Sequence, residues 1–164
     1  MINSLVDALK EVARSDHAIL SAAEHKSPYE TGARREQGQA LLVLRPASNE
    51  EMSAMVAICV QSDVEVVPQS ANTGVVWGST PDATGNQVLL SLDRMSQLFE
   101  LDVVNRSVRV GAGVRLSELN AKLEQYGLFF PIDLGADPMI GGMISTNTGG
   151  SRFMRYGDVR ANTL

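Results

Sequence analysis

A chain of 164 residues with 44% apolar and 20% charged side chains is long enough to bury a real core and too apolar to be disordered throughout, so one globular domain is the starting expectation. The net charge of −5, without a visible cluster of Lys and Arg, argues against nucleic acid or an anionic membrane as partner. The single cysteine, Cys59, excludes an internal disulfide, and no basic, apolar leader or bilayer-length apolar run is visible, so the cytoplasm is the expected compartment.

Leu5, Leu9 and Val12 recur at helical spacing after Ser4, a side chain suited to an N-cap, and predict a helix over 4–14. The polar stretch 24–39 contains the breakers Pro28, Gly32 and Gly38 and the charge run Arg34-Arg35-Glu36; it reads as an exposed connection, and residues 1–40 as a lead-in. His17 and His25 have no His or Cys partner at ligand spacing, so both are expected to be solvated and no metal is predicted. Leu41-Leu42-Val43-Leu44 suits a buried strand. Ser48 and Glu51 form a capping box for a helix whose apolar stripe is Met52, Met55, Val56, Cys59 and Val60. A turn at Ser62-Asp63 leads to a strand over 64–67, completing a strand–helix–strand unit of the length a parallel crossover needs. Beyond the turn cluster 81–86, Val88-Leu89-Leu90-Ser91-Leu92, 98–103 and 107–110 are further strands, the last two a hairpin with Asn105-Arg106 at its tip. Leu116, Leu119, Leu123 and Tyr126 form the inward face of a second amphipathic helix that Gly127 terminates, and 128–133 is extended. The preceding Gly111-Ala112-Gly113 lacks the third glycine and the acidic residue of a nicotinamide-dinucleotide fingerprint.

Two uncharged segments of small residues are the candidate site. The first, Pro68-Gln69-Ser70-Ala71-Asn72-Thr73-Gly74-Val75-Val76-Trp77-Gly78-Ser79, follows a parallel strand, where open α/β sheets place ligands. Gly74 and Gly78 permit positive φ, Asn72 tolerates it, and Ser70, Thr73 and Ser79 bring hydroxyl donors; with no lysine present, the backbone amides are left to hold an anion. The second, Ile140-Gly141-Gly142-Met143-Ile144-Ser145-Thr146-Asn147-Thr148-Gly149-Gly150, has a glycine pair at each end, and a short helix opening there would add amides at Gly141-Gly142. Arg152 and Arg155 are the nearest cations, either compensating charge at the site or forming a solvated pair. No residue reads as a general base.

Arg45-Pro46 before a capped helix, Val67-Pro68 through Gly74, Val88–Leu92 with Arg94-Met95, Val110-Gly111-Ala112-Gly113-Val114, Phe130-Pro131-Ile132-Asp133-Leu134-Gly135, Ile140-Gly141-Gly142 and Asn147-Thr148-Gly149-Gly150 occur in an order that resembles the FAD-binding domains of the vanillyl-alcohol oxidase and p-cresol methylhydroxylase type. The chain is most similar to the D-lactate and D-2-hydroxyglutarate dehydrogenase branch, over 41–164. The resemblance implies an α+β fold of two subdomains with FAD between them. It places the pyrophosphate on Pro68, Gln69, Ser70, Ala71, Asn72, Thr73, Gly74, Gly78 and Ser79, and the flavin along Pro131, Asp133, Leu134, Gly135, Gly141, Gly142, Ser145, Thr146, Asn147, Gly149 and Gly150. It implies oxidation of a 2-hydroxy acid of the D-lactate, D-2-hydroxyglutarate or glycolate type by hydride transfer to FAD, with a separate electron acceptor and a homodimer among the expected partners. No histidine flanks the first segment, so non-covalent FAD is expected. Ser70-Ala71 replace family glycines, Trp77 stands where glycine is usual and is expected to pack, and Met143 replaces an asparagine. The family's substrate domain, with its histidines and metal, has no counterpart in these residues, so the chain is expected to be an N-terminal portion, inactive alone. The competing reading is a freestanding nucleotide-binding or interaction module without redox activity.

Overall fold

The computed structural model describes residues 2–164, which form two compact units that divide between Arg94 and Met95. In the first, a four-stranded sheet has the order β1 (Ile19–Leu20), β2 (Ala40–Leu44), β4 (Gln87–Ser91), β3 (Val66–Gln69). β1 pairs antiparallel with β2, and β4 lies parallel to both β2 and β3. The strand–helix–strand reading is therefore right in direction, but β4 inserts between the two strands that were expected to form one unit. Continuous apolar runs in β2 and β4 follow from burial on both faces. Leu42, Leu44, Val88 and Leu90 meet Leu5 and Leu9 of α1 (Ile2–Val12) and Met55 and Cys59 of α3 (Asn49–Gln61). Ala40, Val43 and Leu89 face the other way, against Leu20, Tyr29 and Val67.

That second face explains the main departure from the sequence reading of unit 1. Residues 24–39 are exposed over much of their length, as read, but are no irregular connection: they carry α2 (Ala23–Glu30), with Pro28 inside it, and a turn closed by the Thr31–Gln37 bridge. Tyr29 supplies cover that the apolar strands require, and Glu36 is buried. Helix α1 starts at Ile2, so Ser4 lies inside it rather than at its cap. Ser48 does cap α3, its Oγ accepting from the Glu51 amide at 3.2 Å. Glu51 departs from the reciprocal box, its buried carboxylate accepting from the Arg14 amide at 2.9 Å and the Ala47 amide at 2.7 Å. Val60, expected in the stripe, is exposed, whereas Cys59 is buried and burial pushes its thiol pKa up. His17 and His25 are exposed as expected.

In the second unit, β5 (Phe99–Asp102) and β6 (Ser107–Val110) form the expected hairpin, with Arg106 at φ 53 in its tip. Phe99, Leu101, Val108 and Val110 pack on a cluster formed by Leu116, Leu119 and Leu123 of α4 (Leu116–Glu124), Ile132, and Ile140 and Met143 of α5 (Ile140–Thr146). Gly127, at φ 66, lets the Leu128 amide turn back to the Leu123 carbonyl and end α4. Tyr126 lies on the exposed side of that turn and not in the core. α6 (Phe153–Tyr156) follows. Gly111 and Gly141 are glycines for backbone packing: a Cβ at Gly111 would lie 2.3 Å from the Met95 carbonyl oxygen, and one at Gly141 2.8 Å from Ala112 Cβ. Among the described residues no helix is long and apolar enough to cross a membrane.

Candidate functional site

Segment 68–79 leaves the carboxyl end of edge strand β3. Pro68 and Gln69 belong to the strand itself, paired with Leu90 and Ser91, and an edge position tolerates a proline without an N–H. Left-handed backbone falls at Asn72 (φ 53), which the sequence had marked as tolerant of it, and at Trp77 (φ 64), but at neither Gly74 nor Gly78. Among the described residues of this unit, no amide over 71–78 donates a hydrogen bond, and the Thr73 hydroxyl has no partner. A Cβ built at Gly74 or Gly78 meets nothing within 4 Å. Neutral donors and open space beside the backbone are what a pyrophosphate requires of a cradle without a lysine.

Three polar side chains of this segment bond to the protein itself. Gln69 is buried and its Nε2 donates to the carbonyls of Tyr29 (2.8 Å) and Ser79 (2.7 Å). Asn72 Nδ2 donates to the Thr31 carbonyl at 2.9 Å and its Oδ1 accepts from Ser79 Oγ at 2.8 Å. Gln69, Asn72 and Ser79 therefore shape the loop, their side chains committed to protein partners. Trp77 is 64% exposed, so the packing expected of it is absent.

In the second unit the structure brings together two of the expected segments, 131–135 and 149–152. The Ser151 amide donates to the Asp133 carbonyl at 3.0 Å, Ser151 Oγ donates to Asp133 Oδ2 at 2.6 Å, and a Cβ on Gly150 would lie 2.6 Å from the Asp133 carbonyl oxygen. Asp133 also draws Arg152 Nε to 3.7 Å, with the guanidinium over the Phe129 ring, while Arg155 lies over Tyr156. Gly135 is open, a Cβ there meeting nothing; Leu134 packs partly on the core, Pro131 is half-buried, and Gly149 faces the Phe153 ring edge.

Helix α5 corrects another expectation. The Ile140 and Gly141 amides donate to the Val114 and Ala112 carbonyls at 2.9 and 2.8 Å, so these two amides at the helix start are stitched to the segment that follows β6 rather than offered to an anion. Ser145 and Thr146 hydroxyls turn back to the carbonyls of Gly141 and Gly142, and Met143 is core. Asn147, left-handed at φ 51, donates to Asp158 Oδ2 at 2.8 Å and accepts from the Arg160 amide at 3.1 Å. The Ala161 amide and Asn147 hold the Asp158 carboxyl below its ordinary pKa.

A group that sequence reasoning missed stands at the carboxyl ends of β2 and β4. Arg45 Nε donates to Asp93 at 3.0 and 3.1 Å, the Tyr29 hydroxyl donates to Asp93 Oδ2 at 2.8 Å, and Arg45 lies 5.7 Å over the Tyr29 ring. Burial, then the Asp93 contact, pushes Tyr29 up to about 12, so its hydroxyl remains a donor. Opposite charges directly after two apolar runs were the available signal, but it has meaning only once β2 and β4 are known to be neighbours.

The sequence profile of the FAD binding domain matches residues 40–164. The chain belongs to the FAD-binding-domain family. It is 40% identical over 130 residues to a probable mitochondrial D-2-hydroxyglutarate dehydrogenase of Oryza sativa subsp. indica, a match covering 78% of this chain and 23% of the relative. A putative mitochondrial D-lactate dehydrogenase of Schizosaccharomyces pombe is 34% identical over 130 residues, covering 78% of this chain and 24% of its own. The chain thus spans about a quarter of the length of these relatives. Both are named as mitochondrial, which gives the cytoplasmic expectation no support. Among solved structures, alkyldihydroxyacetonephosphate synthase superposes with a TM-score of 0.86 at 19% identity, over 96% of this chain and 31% of that one, a likeness of fold. FAD is the cofactor of this domain type, and the uncommitted amides over 71–78 beside the open Gly74 and Gly78 suit its pyrophosphate.

Proposed function

We propose that this chain is the FAD-holding portion of a dehydrogenase that oxidises a D-2-hydroxy acid and passes the electrons to a separate acceptor. The reading of the reaction is supported by the relatives named as D-2-hydroxyglutarate and D-lactate dehydrogenases. The observation that carries the cofactor's place is the run of amides over 71–78 without acceptors in their own unit, next to two glycines with empty space where a side chain would go. Those amides would hold the pyrophosphate without a covalent bond, since neither His17 nor His25 lies on the loop. When bound, FAD supplies the two-electron acceptor that takes hydride from the substrate's α-carbon. This chain's contribution is binding and orientation, because positioning supplies much of the barrier reduction in such a transfer. Neither histidine adjoins the small-residue segments in sequence, and no carboxylate among these residues has the pairing of a general acid–base dyad, so none of these residues is assigned the role of receiving the hydroxyl proton.

The test begins with the visible absorption spectrum of the purified protein, where flavin bands are expected. Anaerobic addition of D-2-hydroxyglutarate or D-lactate to a complete, FAD-loaded enzyme should bleach those bands, and the L-enantiomers should not. A colourless protein that takes up no added FAD would remove the cofactor reading. Stable flavin bands that neither D-acid bleaches would remove the substrate class and leave the cofactor.

A further inference from the structure

We infer that the segment 29–38, upstream of the residues matched by the family profile, is a brace that sets the affinity for FAD by holding the cradle loop in its binding shape; this rests on the functional reading above. The exposed stretch 74–78 has little else to hold it. Residues 74–78 are exposed, a Cβ on Gly74 or Gly78 would meet nothing, and no amide over 71–78 has an acceptor in its own unit, so within the loop only the bonds of Ser79 to Gln69 and Asn72 close its base, and the stretch between them has no backbone bonds of its own to keep it in one conformation. Two side-chain bonds tie it to a separate part of the same unit, Gln69 Nε2 to the Tyr29 carbonyl and Asn72 Nδ2 to the Thr31 carbonyl. Both acceptors lie in the last turn and at the cap of α2, where helical carbonyls have no partner within the helix and carry the negative end of its dipole. The bonds thus satisfy the helix end and fix the loop together. Asn72 itself takes a left-handed backbone, so its side-chain amide anchors the loop at one of its two left-handed positions.

The brace is itself pinned away from the loop. The Gly32 amide donates to the Glu36 carbonyl at 2.8 Å, the Arg34 amide donates to Glu36 Oε2 at 3.0 Å, and the Gly38 amide donates to the Glu30 carbonyl at 3.0 Å. Glu36 is 7% exposed and its Oε1 has no partner, a cost consistent with a carboxylate retained for the bond that its other oxygen makes. Gly38 fits against the Pro81 carbonyl with no room for a Cβ, and the Gln39 amide donates to the Asp82 carbonyl at 2.7 Å. At the other end the Tyr29 hydroxyl is held by Asp93. Tyr29, Thr31 and Glu36 are positioning residues: none has a place in the cradle, and each acts on it through Gln69 or Asn72.

Three variants of the purified protein test this, read by FAD titration and by hydrogen exchange over 70–79 in the FAD-free protein. Asn72→Gly keeps the left-handed backbone and deletes the anchor, Glu36→Ala opens the turn from the far side, and Glu36→Gln keeps an acceptor for the Arg34 amide. The first two should bind FAD about tenfold more weakly or worse, with faster loop exchange, and Glu36→Gln should return close to wild type. Wild-type affinity in both Asn72→Gly and Glu36→Ala overturns the inference, whether or not exchange rises. Weaker binding with unchanged exchange also overturns it, because the side chains would then act on the cofactor directly. If Glu36→Ala fails to fold, Asn72→Gly decides alone. A wild type that binds no FAD removes the functional reading itself and this inference with it.

Discussion

Trp77 holds φ 64 with its side chain 64% exposed, so it takes the strain of a left-handed backbone without burying its ring in return. That conformation costs a residue with a Cβ roughly 1–2 kcal/mol, partly offset by the entropy a glycine would lose. Trp77→Gly should therefore raise the stability of the FAD-free protein by about 0.5–1 kcal/mol, read as a higher denaturation midpoint. Tyr29 gives a pH signature. Its pKa is raised from 10.0 to about 12, so the neutral hydroxyl is favoured in the fold: the contribution is complete below pH 10 and is lost as pH rises toward 12. Comparing denaturation midpoints of wild type and Tyr29→Phe across that window should show a steeper alkaline decline in the wild type. Parallel curves would mean that the contact with Asp93 does not hold the proton.

At the scale of elements, α3 has two polar side chains at its start with different duties. Ser48 caps one amide at a partly exposed site, so Ser48→Ala should cost about 1 kcal/mol. Glu51 is 2% exposed and accepts from both Ala47 and Arg14, tying the entry of α3 to the residues just after α1. Removing a charged acceptor strands two amides, so Glu51→Ala should cost more, roughly 2–4 kcal/mol, by chemical denaturation. The capping signature Ser48…Glu51 was readable because it is local. The partner of Glu51 was not, because Arg14 is distant in sequence and becomes a neighbour only when α1 packs on the same sheet face as α3.

For the whole molecule, FAD binding to the native state alone should raise thermal stability by mass action, by about 2.7 kcal/mol at a FAD concentration a hundredfold above the dissociation constant. Gly74→Val adds side-chain atoms where the protein has none nearby, so its FAD-free melting midpoint should match wild type while the FAD-dependent rise disappears. Gly150→Ala is the contrast: its Cβ would sit 2.6 Å from the Asp133 carbonyl oxygen, so the FAD-free protein itself should melt earlier. The sequence by itself determined the α+β class, most of the strands, the two main amphipathic helices, the hairpin and the two small-residue segments, since each is written in periodicity, caps or local composition. Helix α2, read as a connection, was hidden because Pro28 and a polar face suppress the helical pattern, and the sheet face it helps to cover belongs to strands far along the chain. Tertiary structure alone decided the order β1-β2-β4-β3, the meeting of Arg45, Asp93 and Tyr29, and the commitment of Gln69, Asn72 and the Gly141 amide to protein carbonyls. A periodic pattern tells which face of an element is buried but not which element buries it, and these hydrogen bonds depend on that second fact.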